Sequence, residues 1–121
     1  MTEHWKLSIR ETSQLLRTGE ISPTTLVESH LARIENTEHK LNSFITITSE
    51  NALIEAEKAT SEIVEKGVRS PLHGIPIGLK DLYDTKGVLT TVGSKIYRDR
   101  MPLADATVVT KLRKAGAILM G

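Results

Sequence analysis

Gly74-Ile75-Pro76-Ile77-Gly78-Leu79-Lys80-Asp81 and Gly116-Ala117-Ile118-Leu119-Met120 are the two stretches on which the reading of this sequence turns. Each is a short apolar run that follows a glycine, the pattern of a strand buried on both faces. Proline has no amide to give to a β ladder, so the first strand is expected to start at Pro76 and to run to Leu79. Between the two stretches, Val108, Val109 and Leu112 fall at helical spacing, after Asp105 as N-cap and before Gly116 as stop. Strand, helix, strand is a βαβ unit, so segments 76–79 and 117–120 are expected to be parallel neighbours. Two strands are few for a parallel sheet, which is normally wider and covered on both faces. The expected class is therefore α/β, with N-terminal helices followed by the βαβ start of a larger mixed sheet. One incomplete domain is expected over residues 1–121, mainly helical over 1–67 and opening its α/β core over 68–121.

Three further helices are readable upstream. Ser8-Ile9-Arg10-Glu11 fits a capping box, and the helix it opens carries Ile9, Leu15 and Leu16 before Gly19. Ser22-Pro23 pairs an N-cap with proline at the first helical position, where its missing amide costs nothing. Leu26, Val27, His30, Leu31 and Ile34 then mark one face of a helix expected to end near Asn36. Phe44-Ile45-Thr46-Ile47-Thr48 alternates and is β-branched, so it reads as a short strand or extended segment. Ser49 is positioned to cap a third helix that runs to about Lys66 and stops at Gly67. Ala52, Ala56, Ala59 and Ile63 give that helix a stripe of mostly small side chains, suited to close packing.

Composition narrows the function. The 121 residues are 39% hydrophobic and 26% charged, as in soluble globular domains, and only 3% aromatic, so the core must be aliphatic. A formal net charge of +1 argues against a whole-chain nucleic-acid or membrane-surface role. Lys95, Arg98 and Arg100 near Tyr97 read as a solvated loop rather than an anion site. Absence of cysteine excludes disulfides, zinc–thiolate sites and a thiol nucleophile. His4, His30, His39 and His73 are scattered without metal-ligand spacing, so no metal is expected, and His30 reads as a hydrogen-bonded, semi-buried side chain. There is no phosphate loop and no dinucleotide fingerprint. The first two helices have a helix-turn-helix outline, but the second offers only His30 and Arg33 beside Glu28 and Glu35, a poor reader of DNA. No secretory leader or membrane span is apparent, and a soluble cytoplasmic protein is expected.

The one position with chemical promise is Lys80, at the end of an apolar strand between flexible backbone. A lysine drawn into a buried site loses stabilisation of its ammonium, and a lowering of about three units would make it a usable base near neutral pH. Gly74 and Gly78 allow backbone or substrate to approach closely.

Pro71-Leu72-His73-Gly74-Ile75-Pro76-Ile77-Gly78-Leu79-Lys80-Asp81 is similar to the lysine-bearing motif of the amidase signature family. The match continues through Thr85-Lys86-Gly87-Val88, Thr90-Thr91, Gly93-Ser94 and Asp105-Ala106-Thr107-Val108-Val109 to Ala115-Gly116-Ala117. Upstream, Gly19-Glu20-Ile21-Ser22-Pro23, Arg33-Ile34-Glu35 and Leu41-Asn42-Ser43-Phe44-Ile45 resemble the family's opening helices. The resemblance implies the amidase-signature fold and hydrolysis of carboxylic amides to acid and ammonia or amine. It implies a Ser–cis-Ser–Lys triad, of which Lys80 is the lysine, and neither cofactor nor metal. The two serines and the oxyanion hole belong to a Gly/Ser-rich segment that these residues do not contain. None of Ser8, Ser13, Ser22, Ser29, Ser43, Ser49, Ser61, Ser70 or Ser94 sits in such a setting. The chain thus resembles the N-terminal portion of an amidase and is expected to be inactive alone. Its expected partners are a small-molecule amide substrate and either the remainder of an amidase chain or further copies of itself. An alternative within the family is the amidase-like subunit of the glutamyl/aspartyl-tRNA amidotransferase, a glutaminase working with companion subunits. Lys80-Asp81-Leu82, where that subunit commonly reads Lys-Asp-Asn, favours a general amidase. The alternative from another class is a non-catalytic interaction module that docks through its helices.

Overall fold

The computed structural model describes residues 3–121. A 3-10 turn, His4–Lys6, leads into α1 (Ile9–Thr18), α2 (Pro23–Leu41) and α3 (Ser49–Lys66). Strand β1 (Pro76–Ile77), a second 3-10 turn (Lys95–Tyr97), α4 (Thr107–Ala115) and strand β2 (Ile118–Leu119) complete the order. β1 and β2 pair in parallel, with Pro76 opposite Ile118 and Ile77 opposite Leu119. The ladder proper is shorter than the expected strands, but Gly74 N–H to Gly116 O and Leu79 N–H to Gly121 O, both 2.9 Å, prolong the pairing at each end.

The expected helix starts are met where the cap is a local matter. Ser8 and Glu11 form the reciprocal capping box before α1, and Gly19 closes that helix in the left-handed region. Ser22 caps α2 with Pro23 at its first position. α2 does not stop at Asn36. It runs on to Leu41, because an asparagine inside a helix costs only a few tenths of a kcal/mol and does not break it, and Asn42 at φ 50° supplies the stop instead.

Two caps are not the expected ones. α3 begins at Ser49 behind Thr48, and no side chain caps it; the Thr48 hydroxyl is turned toward β2, donating to Leu119 O at 2.9 Å. α4 begins behind Ala106 rather than Asp105. The Asp105 carboxylate instead accepts the Lys86 amide at 2.7 Å and lies 3.3 Å from Arg113 Nε. On α4 only Val109 is fully buried, and Val108, expected on the apolar face, is 40% exposed.

Residues 44–48 form no strand: the chain bends at Ile45, and Thr48, at φ −101° and ψ 51°, is not in the extended region. Glu38 draws the chain off the end of α2, accepting the Ser43 hydroxyl and the Phe44 amide, each at 2.7 Å. The segment reaches β2 only at Thr48, whose amide donates to Met120 O at 2.9 Å. The Leu119 amide on the same edge is taken by the Glu55 carboxylate at 3.2 Å. Side chains thus satisfy the edge of β2 where a third strand would pair.

The core lies between the helices and the strand pair. Val27, Ala52, Ala56, Ala59, Ile118 and Met120 form one buried cluster, with Leu31, Ile34 and Leu53 packed against it. The small stripe of α3 therefore does what its spacing implies: it lets α3 approach α2 and β2 closely. Leu16, Leu26 and Ile75 form a second cluster with Ile21 and Ile77. Adjacent residues of α2, Leu26 and Val27, so serve β1 and β2 respectively, each worth roughly 1.5–3 kcal/mol of burial.

Gly116 joins α4 to β2 at φ 93°, and a Cβ there would stand 2.5 Å from Cδ2 of the buried His73 ring. Gly116→Ala combines left-handed strain with overpacking and is expected to cost about 2 kcal/mol or more. A shift of the urea midpoint to lower concentration at unchanged slope checks it.

Candidate active site

The carboxyl end of β1 delivers Lys80 to the rim of an open cleft of about 430 Å³. Phe44, Thr46, Gly78, Leu79, Tyr83 and Thr90 are among the residues that line it. Lys80 is exposed. Among the described residues its ammonium makes no hydrogen bond or ion pair, and it is free to engage a ligand. Its carbonyl accepts two amides in a tight turn, Leu82 at 2.7 Å and Tyr83 at 3.1 Å.

Two carboxylates just past the lysine tie this turn to the far side of the following loop. Asp81 accepts the Thr91 amide, at 3.0 Å to Oδ1 and 3.1 Å to Oδ2, and also the Thr91 hydroxyl. Asp84 makes a two-pronged pair with Arg100, 2.8 Å from Oδ1 to Nη1 and 2.9 Å from Oδ2 to Nη2. The Arg100 hydrogen bond, against a smaller desolvation effect, holds the Asp84 carboxyl below its usual value, and the same bond raises the guanidinium. Asp84 O also accepts the Ala106 amide at 2.7 Å, which anchors the loop to the start of α4.

The only serine on the cleft wall is Ser43, and its hydroxyl is committed to Glu38. None of the serines quoted above is placed here as a nucleophile. His30 is half-buried with Nδ1 2.8 Å from Leu26 O, the bonded role expected of it. Arg33, the other polar candidate on α2, lies over the Trp5 ring with 4.1 Å between guanidinium carbon and centroid.

His73, part of the family-like stretch, carries no sequence sign of its partners. It is 2% exposed, with Nδ1 accepting the Arg69 amide at 3.1 Å and Nε2 2.8 Å from Glu62. That partnership places the ring proton on Nε2, directed at the carboxylate. Desolvation pushes the Glu62 carboxyl up, but hydrogen bonds from Arg69 and His73 outweigh it and leave it below its usual value. No sequence signal joins residues 62, 69 and 73; the association exists only because α3 packs beside the loop before β1. Among the described residues no group of three or more His, Asp or Glu side chains could hold a metal, and no helix is long and apolar enough to cross a membrane.

A model of the amidase family matches residues 25–121, the span that holds the strand pair, the cleft and Lys80. The chain belongs to the amidase family. Its relatives there include named subunits of glutamyl-tRNA(Gln) amidotransferase. The one from Syntrophus aciditrophicus is 44% identical over 98% of this chain and 24% of its own. That from Dehalococcoides mccartyi is 43% identical over 100% of this chain and 25% of its own. Among solved structures, the peptide amidase from Stenotrophomonas maltophilia superposes with a TM-score of 0.90 at 32% identity, over 96% of this chain and 24% of its own. The chain thus spans about a quarter of the length of these relatives.

The Asp84–Arg100 pair has a defined pH dependence. A carboxyl depressed in the folded state contributes stability that is complete above its ordinary value, 3.8, and is lost as pH falls through the depressed one. Asp84→Asn is expected to lower the thermal midpoint at pH 5–7, with the gap to the parent closing as pH falls through the depressed carboxyl value. Paired melting curves across that range check it.

Proposed function

We propose that this chain supplies the lysine of an amide-hydrolysing site, with Lys80 as the proton-accepting group. The observation that carries the reading is the placement of Lys80: an unpaired amine at the carboxyl end of a parallel strand, over a cleft, in a chain of the amidase family. Ligand sites of parallel α/β sheets gather at that end of the strands. In the reaction the resemblance implies, a serine elsewhere in the longer protein attacks the amide carbon while its proton passes toward the lysine. The C–N bond then breaks, nitrogen leaves as ammonia or amine with that proton, and water hydrolyses the acyl-serine. Residues 1–121 are read as one portion of a larger single domain, and the proposed steps require no cofactor.

A second reading has its own support. Relatives at 44% and 43% identity are named as an amidotransferase subunit, which favours glutamine as the amide and companion subunits as partners. Both readings place the same burden on Lys80. They separate by substrate: a general amidase releases ammonia or amine from simple aryl and alkyl amides unaided, whereas the amidotransferase protein releases it from glutamine with its companions present.

Lys80→Arg keeps the positive charge but offers a guanidinium that stays protonated. In the full-length protein it is expected to lower kcat by at least about 100-fold at unchanged thermal midpoint, the scale of a lost general base. A well-folded Lys80→Arg enzyme within tenfold of the parent overturns the assignment.

A further inference from the structure

We infer that Asp81 and Thr91 form a positioning pair for Lys80, holding the turn that aims the lysine at the cleft. This deepens the reading of Lys80 as the base and rests on it. Asp81 follows Lys80 directly, and all its hydrogen bonds go to one residue ten positions on. Thr91 is 8% exposed, and its hydroxyl oxygen also accepts the Gly93 amide at 3.2 Å. The turn it organises is strained: Val92, a β-branched residue, sits at φ 55° and Gly93 at φ 67°. Such a conformation persists only where surrounding bonds over-determine it. The bonds that do so here are the Asp81 clamp and Ser94 N–H to Thr91 O at 3.0 Å.

The mechanical consequence falls on Lys80. Its carbonyl is held by the amides of residues 82 and 83, and the residue between is held by Thr91, so the peptide on the carboxyl side of Lys80 cannot rotate while the clamp is closed. The amino side is held by Leu79 N–H to Gly121 O. With both flanks fixed, the side chain leaves the backbone in one direction, toward the cleft that Leu79, Lys80 and Asp81 line together. The fixed backbone sets the point and angle from which the exposed side chain starts, and its own rotamers carry the ammonium the rest of the way. Positioning of this kind is felt in kcat, since misplacement by about 1 Å costs on the order of 100-fold.

The test uses the full-length protein with benzamide and L-glutamine as substrates. Thr91→Val removes the hydroxyl and keeps volume and amide; Thr91→Ser keeps the hydroxyl. Thr91→Val is expected to lower kcat about tenfold or more with KM within twofold, and Thr91→Ser to stay within twofold of the parent in both. Hydrogen exchange supplies a readout independent of turnover: amides 82 and 83 are expected to exchange at least tenfold faster in Thr91→Val and at the parental rate in Thr91→Ser. Should Thr91→Val not fold, Asp81→Glu, which keeps the charge and shifts the carboxylate by one methylene, is expected to show the same pattern. Unchanged exchange and kcat in Thr91→Val, or a loss that Thr91→Ser fails to restore, overturns the inference. Activity surviving in Lys80→Arg sinks the underlying assignment instead, whatever the Thr91 variants do.

Discussion

Everything in this chain is arranged around holding two very short strands side by side in parallel. A parallel pair cannot be closed by a hairpin, so β1 and β2 must be joined by a long excursion, here a loop and α4. Two residues of ladder on each strand are too few to hold such a closure alone. The pairing survives because α2 sends Leu26 to one strand and Val27 to the other, while the alanines of α3 bring that helix onto β2. The strand pair in turn fixes where the chain emerges after Leu79. The position of Lys80 is thus a consequence of packing many residues away from it.

The same constraint explains the polar contacts that look displaced from their local duties. Thr48 and Glu55 could serve the helix they precede or sit on, yet both are spent on the backbone of β2. Glu55 is doubly employed, accepting Arg113 of α4 at 2.7 Å as well as the Leu119 amide. The carboxylate therefore couples the helix that enters β2 to the edge of the strand itself. Asp105 repeats the device on the loop side, joining Lys86 to Arg113. Charged groups at partly exposed positions contribute little singly. Here their value is in shared partners, which tie α3, α4, the loop and β2 to one another.

This also marks how far the sequence could be read. The starts of α1 and α2 were legible because Ser8, Glu11, Ser22 and Pro23 act on backbone three residues away or fewer. The caps of α3 and α4 were not, because Thr48 bonds a carbonyl 71 residues on and the amide that Asp105 accepts lies 19 residues back. The parallel pairing was legible from two glycine-led apolar runs with a helix between them. The absence of a strand at residues 44–48 was not, since alternation there is real and is overruled by Glu38 and Glu55. At the site, Lys80 stood out by its place at a strand end. Thr91 and His73 lie in stretches that resemble the family and Arg100 in a basic loop, but nothing in the sequence joins them to Asp81, Glu62 and Asp84, which they meet only by the closure of a loop or by helix packing.

One expectation about the lysine still has to be met from outside these residues. A lysine that takes up protons near neutral pH must be desolvated, since burial is what disfavours its charged form. Lys80 is exposed on an open cleft, and neither Phe44 nor Leu79 covers it. The elements described here fix its direction and leave its environment open. These are separable tasks: direction needs stiff backbone, which the β1 ladder and the two aspartate ties provide, whereas desolvation needs bulk over the cleft. The chain spans about a quarter of its relatives' length, and the catalytic role proposed for Lys80 calls for bulk over the cleft that the described residues do not supply.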